Sequence, residues 1–300
     1  MNHNKRVFAL GFFDGVHLGH QALLSACRDL ARELDCETAA ITFEQHPQSL
    51  FRVDVPPLLT SVEDRRRLLQ LYGVEEIIAF PVTKEVMSTP WEEFLEKLIG
   101  CGAAGFVCGY DFRFGNRGEG NGERLVRFCR ERNLPCVIVP EQTLDGVRIS
   151  STHIRNLIEN GQMEEAVRYL GHRHILTGQV VTGRKLGHKL GFPTANVLLP
   201  EGVVYPKSGV YACRVNIGGL SRIAVTNVGN RPTVEGHQIR TESWILDFDG
   251  NLYDREITLE FCGFLRSERK FDSLEDLKQA VLRDAQKTRE YFGNKEKAEN

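Results

Sequence analysis

The sequence predicts two domains of different class: an α/β domain with a doubly wound parallel sheet, then a small antiparallel barrel or sandwich followed by one helix. Three observations predict it. The chain has 300 residues, more than one compact core usually holds. Up to about residue 173, short apolar runs alternate with helical periodicity; beyond it, short β-branched runs follow one another without helices. The composition, 41% hydrophobic and 26% charged, is that of a globular protein and excludes a chain dominated by disorder.

In the first half, residues 7–10, 38–43, 75–80, 105–108 and 136–139 read as strands buried on both faces. The stretches 19–34, 62–71, 90–99 and 123–131 between them carry helical spacing. Thr89 followed by Pro90 and Glu92 predicts a helix start, with Thr89 as N-cap and Glu92 closing a capping box. In the second half, 178–181, 194–198, 210–217, 223–228, 243–248 and 256–261 read as strands. Gly218-Gly219 and Asp249-Gly250-Asn251 read as hairpin turns between them. A helix over 274–291 is predicted from the stripe Leu274, Leu277, Val281 and Leu282, with a frayed tail after it. The expected division is therefore 1–173, 174–293 and a tail over 294–300.

Charge narrows the function. With 38 basic and 40 acidic residues the net charge is −2, which argues against a general nucleic-acid binder. The longest uncharged stretch, 98–110, is shorter than the roughly 20 residues of a spanning helix, and the N-terminus carries no secretory signal. The eight cysteines, at 27, 36, 101, 108, 129, 136, 213 and 262, show no C-x-x-C pair and no zinc spacing. A cytoplasmic protein with reduced thiols, no membrane and no nucleic-acid partner is expected. No motif speaks to oligomeric state.

In a doubly wound sheet ligands bind beyond the carboxyl ends of the strands, so the first strand exit matters most. It reads Gly11-Phe12-Phe13-Asp14-Gly15-Val16-His17-Leu18-Gly19-His20. Glycines let backbone N–H groups approach phosphate, and His17 and His20, three apart at a helix start, share a face. Two imidazoles there can donate to a developing pyrophosphate charge; the plain alternative is a pair of surface histidines beside a turn. Further on, Ile149-Ser150-Ser151-Thr152-His153-Ile154-Arg155 opens a helix. Hydroxyls plus Arg155 make an anion clamp, or simply an N-cap.

In the second half, 183–196 carries Gly183, Gly187 and Gly191 with Lys185 and Lys189 between them, then Pro193-Thr194-Ala195-Asn196. A basic glycine-rich segment can fold over phosphates or be a surface turn. Thr194 and Asn196 point the same way from a strand and offer oxygens suited to Mg²⁺. Glu242, read bare, is a solvated edge-strand carboxylate.

Taken in order, these strings resemble the bacterial bifunctional riboflavin kinase/FMN adenylyltransferase (FAD synthetase) family, with its H-x-G-H nucleotidyltransferase signature. Thr42-Phe43-Glu44-Gln45-His46-Pro47 and Gly109-Tyr110-Asp111-Phe112-Arg113-Phe114-Gly115 match too, as do Gly209-Val210-Tyr211, 227–233 and 264–271. The resemblance covers nearly the whole chain. It implies a Rossmann-like nucleotidyltransferase domain followed by a β-barrel kinase domain. It also implies two reactions: riboflavin and ATP giving FMN, then FMN and ATP giving FAD and pyrophosphate. ATP, riboflavin and FMN are the implied partners and Mg²⁺ the implied ion, with FMN and FAD as intermediate and product rather than prosthetic groups.

The resemblance assigns ATP of the transferase to Gly11, Phe13, Asp14, Gly15, His17, His20, Ser150, Ser151 and Arg155, and its flavin to His46, Asp111, Phe112 and Phe114. Kinase ATP goes to Gly183, Lys185, Gly187, Lys189, Gly191, Thr194 and Asn196, with Mg²⁺ on the last two; Glu242 is the implied base. Adenylyl transfer needs no base, since the FMN phosphate is already an anion, whereas the riboflavin hydroxyl must lose a proton. Departures from the family pattern are Gln45 for proline, an arginine one place early in 116–121, His188-Lys189 for the usual arginine, and Trp244. The alternatives are a chain active only as the kinase, or a flavin- or nucleotide-sensing protein without turnover.

Overall fold

The computed structural model describes residues 5–183, 187, 190–233 and 236–298. Its contacts divide the chain into two compact units, 1–151 and 152–300.

The first unit is built on five parallel strands: β1 (Arg6–Leu10), β2 (Glu37–Phe43), β3 (Glu76–Phe80), β4 (Ala103–Gly109) and β5 (Cys136–Val139), in the order β3-β2-β1-β4-β5. The central strand β1 buries Val7, Phe8, Ala9 and Leu10 completely, hence its unbroken apolar run. β3 and β5 form the edges and stay half-buried along most of their length. After β3 the chain crosses back to the other side of β1, so the direction of winding reverses between β1 and β4. Loops leaving these two strands therefore diverge and open a crevice.

The helices are α1 (Leu18–Glu33), α2 (Val62–Leu71), α3 (Lys84–Met87), α4 (Trp91–Gly100) and α5 (Gly122–Glu131). α1 packs on the sheet through Leu23, Leu24, Cys27, Leu30 and Ala31, a helical stripe. A core cluster joins Phe8, Leu10, Ile41, Trp91, Leu95, Phe106, Phe114, Leu125 and Phe128. One predicted start is corrected: Pro90 is the N-cap of α4, and no side chain caps the helix. The Thr89 hydroxyl donates to Glu85 O at 3.1 Å instead, because α3 ends just before it and offers a nearer carbonyl. A short hairpin, β6 (Thr143–Leu144) and β7 (Val147–Arg148), turns at Asp145 (φ 52°) and Gly146 (φ 76°) and returns the chain to Ser150. That Asp-Gly pair is a hairpin signal the sequence reading passed over.

The second unit holds α6 (Ser151–Glu159, its first residue in the first unit), α7 (Met163–Leu170) and a closed antiparallel barrel. Its strands are β8 (His174–Val181), β9 (Ala195–Leu198), β10 (Gly209–Ile217), β11 (Leu220–Thr233), β12 (Gly236–Ile245) and β13 (Glu256–Arg266). They run in the order β10-β11-β12-β9-β8-β13, and β13 pairs back onto β10. This decides for a barrel over a sandwich. Gly218 (φ 59°) and Gly219 (φ 92°) make the tight β10–β11 hairpin that the sequence predicts.

Three expectations are corrected. The runs 223–228 and 243–245 are parts of a much longer hairpin, in which β11 and β12 pair from Ala224 and Ile245 out to Thr233 and Gly236, and 246–248 lies beyond its end. Asp249-Gly250-Asn251 is no hairpin turn: β12 pairs with β11 and β9, and β13 with β10 and β8, so residues 246–255 cross between non-neighbours. The last helix, α8 (Leu274–Ala298), continues past 291 and into the expected tail, where Lys, Glu and Ala propagate a helix readily. Its buried face is also not the Leu stripe. Leu274 and Leu282 are exposed, while Ala280, Asp284, Ala285, Thr288 and Phe292 are buried. Small and polar residues occupy that face because Asp284 meets Arg266 there, Nη2 to Oδ2 at 2.8 Å.

Candidate active sites

The β1 exit folds tightly. Phe13 (φ 57°), Gly15 (φ 80°) and Val16 (φ 41°) all adopt left-handed backbone, which a β-branched valine takes only where the fold enforces it. A side chain on Gly15 would place its Cβ 2.5 Å from Leu59 Cδ1. Asp14 is buried, and its Oδ1 accepts from Leu59 N (2.7 Å) and Thr60 N (3.3 Å), so its carboxylate anchors this loop to the start of α2. Phe13 turns inward, its ring against His20 at 5.3 Å between centroids, and offers the crevice only backbone. Gly11 leads straight from β1, its N–H directed at Ile41 O.

His17 caps α1, its Nδ1 accepting from His20 N at 3.3 Å. The two imidazoles stack, 3.7 Å between centroids and 11° between planes. That leaves the shared face inferred from the H-x-G-H spacing. Burial, then His17 and Arg65, hold the His20 pKa well below its ordinary value, so its ring is neutral. His20 Nδ1 is buried without a hydrogen-bond partner. Ser151, the first residue of α6, donates through Oγ to Asp14 O at 3.0 Å, which brings the Ser150-Ser151 segment to the same loop. Arg155 lies four residues further along α6 and is buried.

Beside this loop a cavity of about 500 Å³ opens at the carboxyl ends of β1 and β4. Its walls include Phe12, His20, Phe43, Phe80, Phe112 and Phe114. Phe112 and Phe114 stack at 5.8 Å, Phe114 buried in the core and Phe112 half-buried against it. Asp111 lines the cavity and is ion-paired with Arg148. His46 stands outside the lining, edge-on to Phe12 at 5.6 Å, and caps a short 3-10 turn through Nδ1. A flat aromatic ring fits such walls.

Sequence reasoning missed Arg65. It sits on α2, 1% exposed, with Nη1 within reach of Phe43 O (2.7 Å), Thr42 Oγ1 (2.9 Å) and Phe12 O (3.2 Å). Burial pulls its pKa down, against the opposing pull of Asp14 and Glu63. In the run Arg65-Arg66-Arg67 nothing marks one arginine as internal except its place on the apolar face with Leu68 and Leu69.

In the barrel, Glu242 of β12 lies in register with Asn196 of β9 on one side and Asn227 of β11 on the other. Residues opposite one another in a ladder share a face, so these three side chains converge. Glu242 has no hydrogen bond or ion pair among the described residues, and its carboxylate is available. It lines a cavity of about 260 Å³ with Asn227, Trp244, Arg266, Glu268 and Leu277. A second cavity, about 350 Å³, lies between Pro193, Ser243 and the 248–253 segment. Thr194 lines both. Two hollows meeting at one hydroxyl, with a free carboxylate in one of them, is a geometry for moving a group from one ligand to another.

Gly183 presses on Asn196: a Cβ there would fall 2.1 Å from its Nδ2, so only glycine lets the backbone close over that amide. Gly187 lines the smaller cavity, and Gly191 (φ 87°) turns the chain toward β9. Lys185 and Lys189 lie outside the described residues. Among the described residues no group of three or more His, Cys, Asp or Glu could cage a metal. The oxygens of Thr194 and Asn196 instead fit a hard ion that brings water and nucleotide oxygens with it.

The FAD synthetase family model matches residues 1–153 and the riboflavin kinase model residues 170–292. The chain belongs to the bifunctional riboflavin kinase/FMN adenylyltransferase family. Relatives of that name from Listeria monocytogenes (34% identical, 97% of this chain and 94% of the relative) and Bacillus subtilis (33%, 97% and 93%) align along nearly the full length. The Escherichia coli K12 relative is 34% identical over 96% of this chain and 93% of its own. A solved structure titled a macrolide-efflux protein, from Streptococcus pneumoniae, superimposes with TM-score 0.86 at 30% identity, covering 95% of this chain and 94% of that one. Its title speaks of that protein; among the described residues here no helix is long and apolar enough to cross a membrane. As a riboflavin kinase/FMN adenylyltransferase, the enzyme phosphorylates riboflavin with ATP and adenylylates FMN with ATP to give FAD.

Proposed function

We propose that residues 1–173 carry adenylyl transfer at the β1 and β4 exits, and that 174–293 carry phosphorylation at the meeting of the two barrel cavities. The position of Thr194 between those cavities, with Glu242 in one of them, is the observation that carries this assignment. In the kinase step riboflavin occupies the cavity holding Glu242. The Glu242 carboxylate takes the proton of the terminal ribityl hydroxyl as its oxygen bonds to the γ-phosphorus, and the bond to ADP breaks. Thr194 Oγ1 and Asn196 Oδ1 would hold Mg²⁺, which when bound neutralises charge on the nucleotide phosphates. Gly183 and Gly187 fold backbone over those phosphates, and Asn227 flanks Glu242 in the ladder.

In the transferase step the FMN ring packs among Phe12, Phe43, Phe80 and Phe112, and a phosphate oxygen of FMN attacks the α-phosphorus of ATP. No proton has to move, and the bond to the departing pyrophosphate breaks. His17, His20, the N–H groups opening α1 and the Ser150-Ser151 hydroxyls receive the growing charge. The free thiols of all eight cysteines support work in a reducing compartment, the cytoplasm. The test uses full-length protein with substitutions in one site at a time. Replacing His17 or His20 by Ala should abolish FAD formation from FMN and spare FMN formation, and Asn196→Ala should do the reverse. Loss of both activities by either variant, with folding intact, refutes the assignment.

A further inference from the structure

We infer that Arg65 is a positioning residue for adenylyl transfer: it ties the β1 and β2 exits together and holds a buried cation against the Phe12 ring, a wall of the cavity that His20 also lines. The inference rests on the assignment of adenylyl transfer to those histidines.

The reasoning begins with an anomaly. Arg65 is among the largest fully buried side chains in the protein. Its Nε and Nη2 are buried and have no hydrogen-bond partner. No ion pair engages it among the described residues. A guanidinium so poorly satisfied is an inefficient way to fill a core, and an apolar side chain of that volume would hold the fold as well or better. Its value lies in what the charge and the one bonded nitrogen do locally.

One nitrogen does the tying. Nη1 is shared by Phe12 O at the end of β1 and by Phe43 O and Thr42 Oγ1 at the end of β2. Thr42 Oγ1 in turn donates to Phe12 O at 2.6 Å, so the three acceptors form one knot. The guanidinium carbon also lies 4.7 Å from the centre of the Phe12 ring, a cation–π contact. Phe12 and Phe43 are walls of the 500 Å³ cavity, and the residue after Phe12 begins the left-handed turn that ends at His17. One side chain thus fixes the flavin wall and the nucleotide loop relative to each other. Misplacement of reacting groups by about 1 Å costs on the order of a hundredfold in rate.

The charge does the rest. The charged and titratable groups around His20 are His17 from its own helix, Arg65 from α2 and, beyond Arg65, Asp14 from the loop. Burial, then His17 and then Arg65, disfavour a cation on His20, so Arg65 adds to what burial already does in keeping that imidazole neutral. A charge fixed before the reaction attracts the negative charge that grows on pyrophosphate without waiting for a proton.

Arg65→Met and Arg65→Lys in the full-length enzyme test this, with riboflavin phosphorylation as the internal control for folding. Arg65→Met is expected to lower kcat for FAD formation about tenfold or more, with KM for ATP changed less than threefold. It should also raise the His20 pKa, read from the imidazole resonances by NMR. Arg65→Lys keeps the charge on a shorter side chain, whose ammonium falls short of the Phe12, Thr42 and Phe43 acceptors: the His20 pKa should stay low while kcat still falls. Wild-type kcat in either variant overturns the tie, and an unmoved His20 pKa in Arg65→Met overturns the charge. If Arg65→Met does not fold, Arg65→Lys alone decides the tie, and Arg65→Gln, which keeps polarity without charge, decides the charge. His20→Ala separates this from the site assignment. If it retains FAD synthesis, the assignment fails; if it loses it while the Arg65 variants behave as wild type, only the present inference fails.

Discussion

Changing Glu242 to Gln asks the sharpest question of the kinase site, because it removes one property and leaves the rest. Gln has the same length and shape, and the neighbours in register, Asn196 and Asn227, can hydrogen-bond an amide as well as a carboxylate. What disappears is the ability to take a proton from the ribityl hydroxyl. Positioned general bases contribute roughly 10²–10⁴-fold, or about 3–5.5 kcal/mol of barrier. A second carboxylate sets where in that range the result falls. Glu268 lines the same cavity, its Oε1 accepting from Asn227 Nδ2 at 3.2 Å. It can take part of the proton load by a longer route, so Glu242→Gln should lie near the lower end, about 10²-fold in kcat. Adding Glu268→Gln should bring the loss toward about 10⁴-fold. The assay follows FMN by chromatography from riboflavin and MgATP, with FAD formation from supplied FMN as control. A kcat for Glu242→Gln within threefold of wild type would sink the base assignment, as would an equal loss of FAD formation.

Gly183→Ala should cost about tenfold or more in kinase kcat/KM and nothing in FAD formation, since its Cβ would sit 2.1 Å from Asn196 Nδ2; unchanged kinase kinetics would show that Asn196 has room to move. Asp284→Ala leaves the Arg266 guanidinium, held bidentately at 2.8 and 3.0 Å, without its buried partner, and should destabilise the protein by about 3 kcal/mol in urea unfolding. Because Arg266 also lines the kinase cavity, KM for riboflavin should rise in the same variant. His174, buried in the barrel, has its pKa lowered to about 3 by burial and then by His172. Its folded value lies below the ordinary 6.5, so unfolded chains bind the extra proton and stability is lost as pH falls from 6.5 toward 3. Between pH 7 and pH 5 that loss is about 2 kcal/mol, and His174→Phe, beside Phe261, should abolish it; an identical pH dependence in wild type and variant would count against the argument.

The architecture was legible where local chemistry and tertiary environment agree. The first sheet is wound so that its central strands are buried on both faces, and continuous apolar runs such as Val7–Leu10 say so without help. The barrel was legible as short strands but not as a closed ring, because closure depends on β13 pairing with β10 across most of the domain. The long β11–β12 hairpin was cut short because Asn230-Arg231-Pro232-Thr233 and Gly236-His237-Gln238 carry no apolar alternation to read. The α8 stripe went astray differently. Hydrophobic periodicity assumes that the apolar face is the buried one, whereas Ala280 and Ala285 beside Asp284 and Thr288 pack closely enough to bury a bidentate ion pair, leaving Leu274 and Leu282 to solvent.

The candidate sites divide along the same line. His17 and His20 could be singled out because their chemistry is written in a short string at a strand exit, and Thr194 and Asn196 because alternation along a strand points them the same way, whereas Glu242 was marked only by the family resemblance. The groups that make those residues work are not local. Asp14 reads as a ligand for ATP, yet its carboxylate is occupied by the Leu59 and Thr60 amides, a contact 45 residues away in sequence. Arg65 is one arginine in a row of three, and only the helix phase that turns it under Phe12 separates it from its solvated neighbours. The difference between the two reactions lies in such groups. A hydroxyl nucleophile calls for a carboxylate left unpaired, as Glu242 is among the described residues, whereas a phosphate nucleophile calls for charge fixed in advance and an imidazole, that of His20, kept neutral beside it. Burial supplies the second condition, and burial is what a linear string conceals.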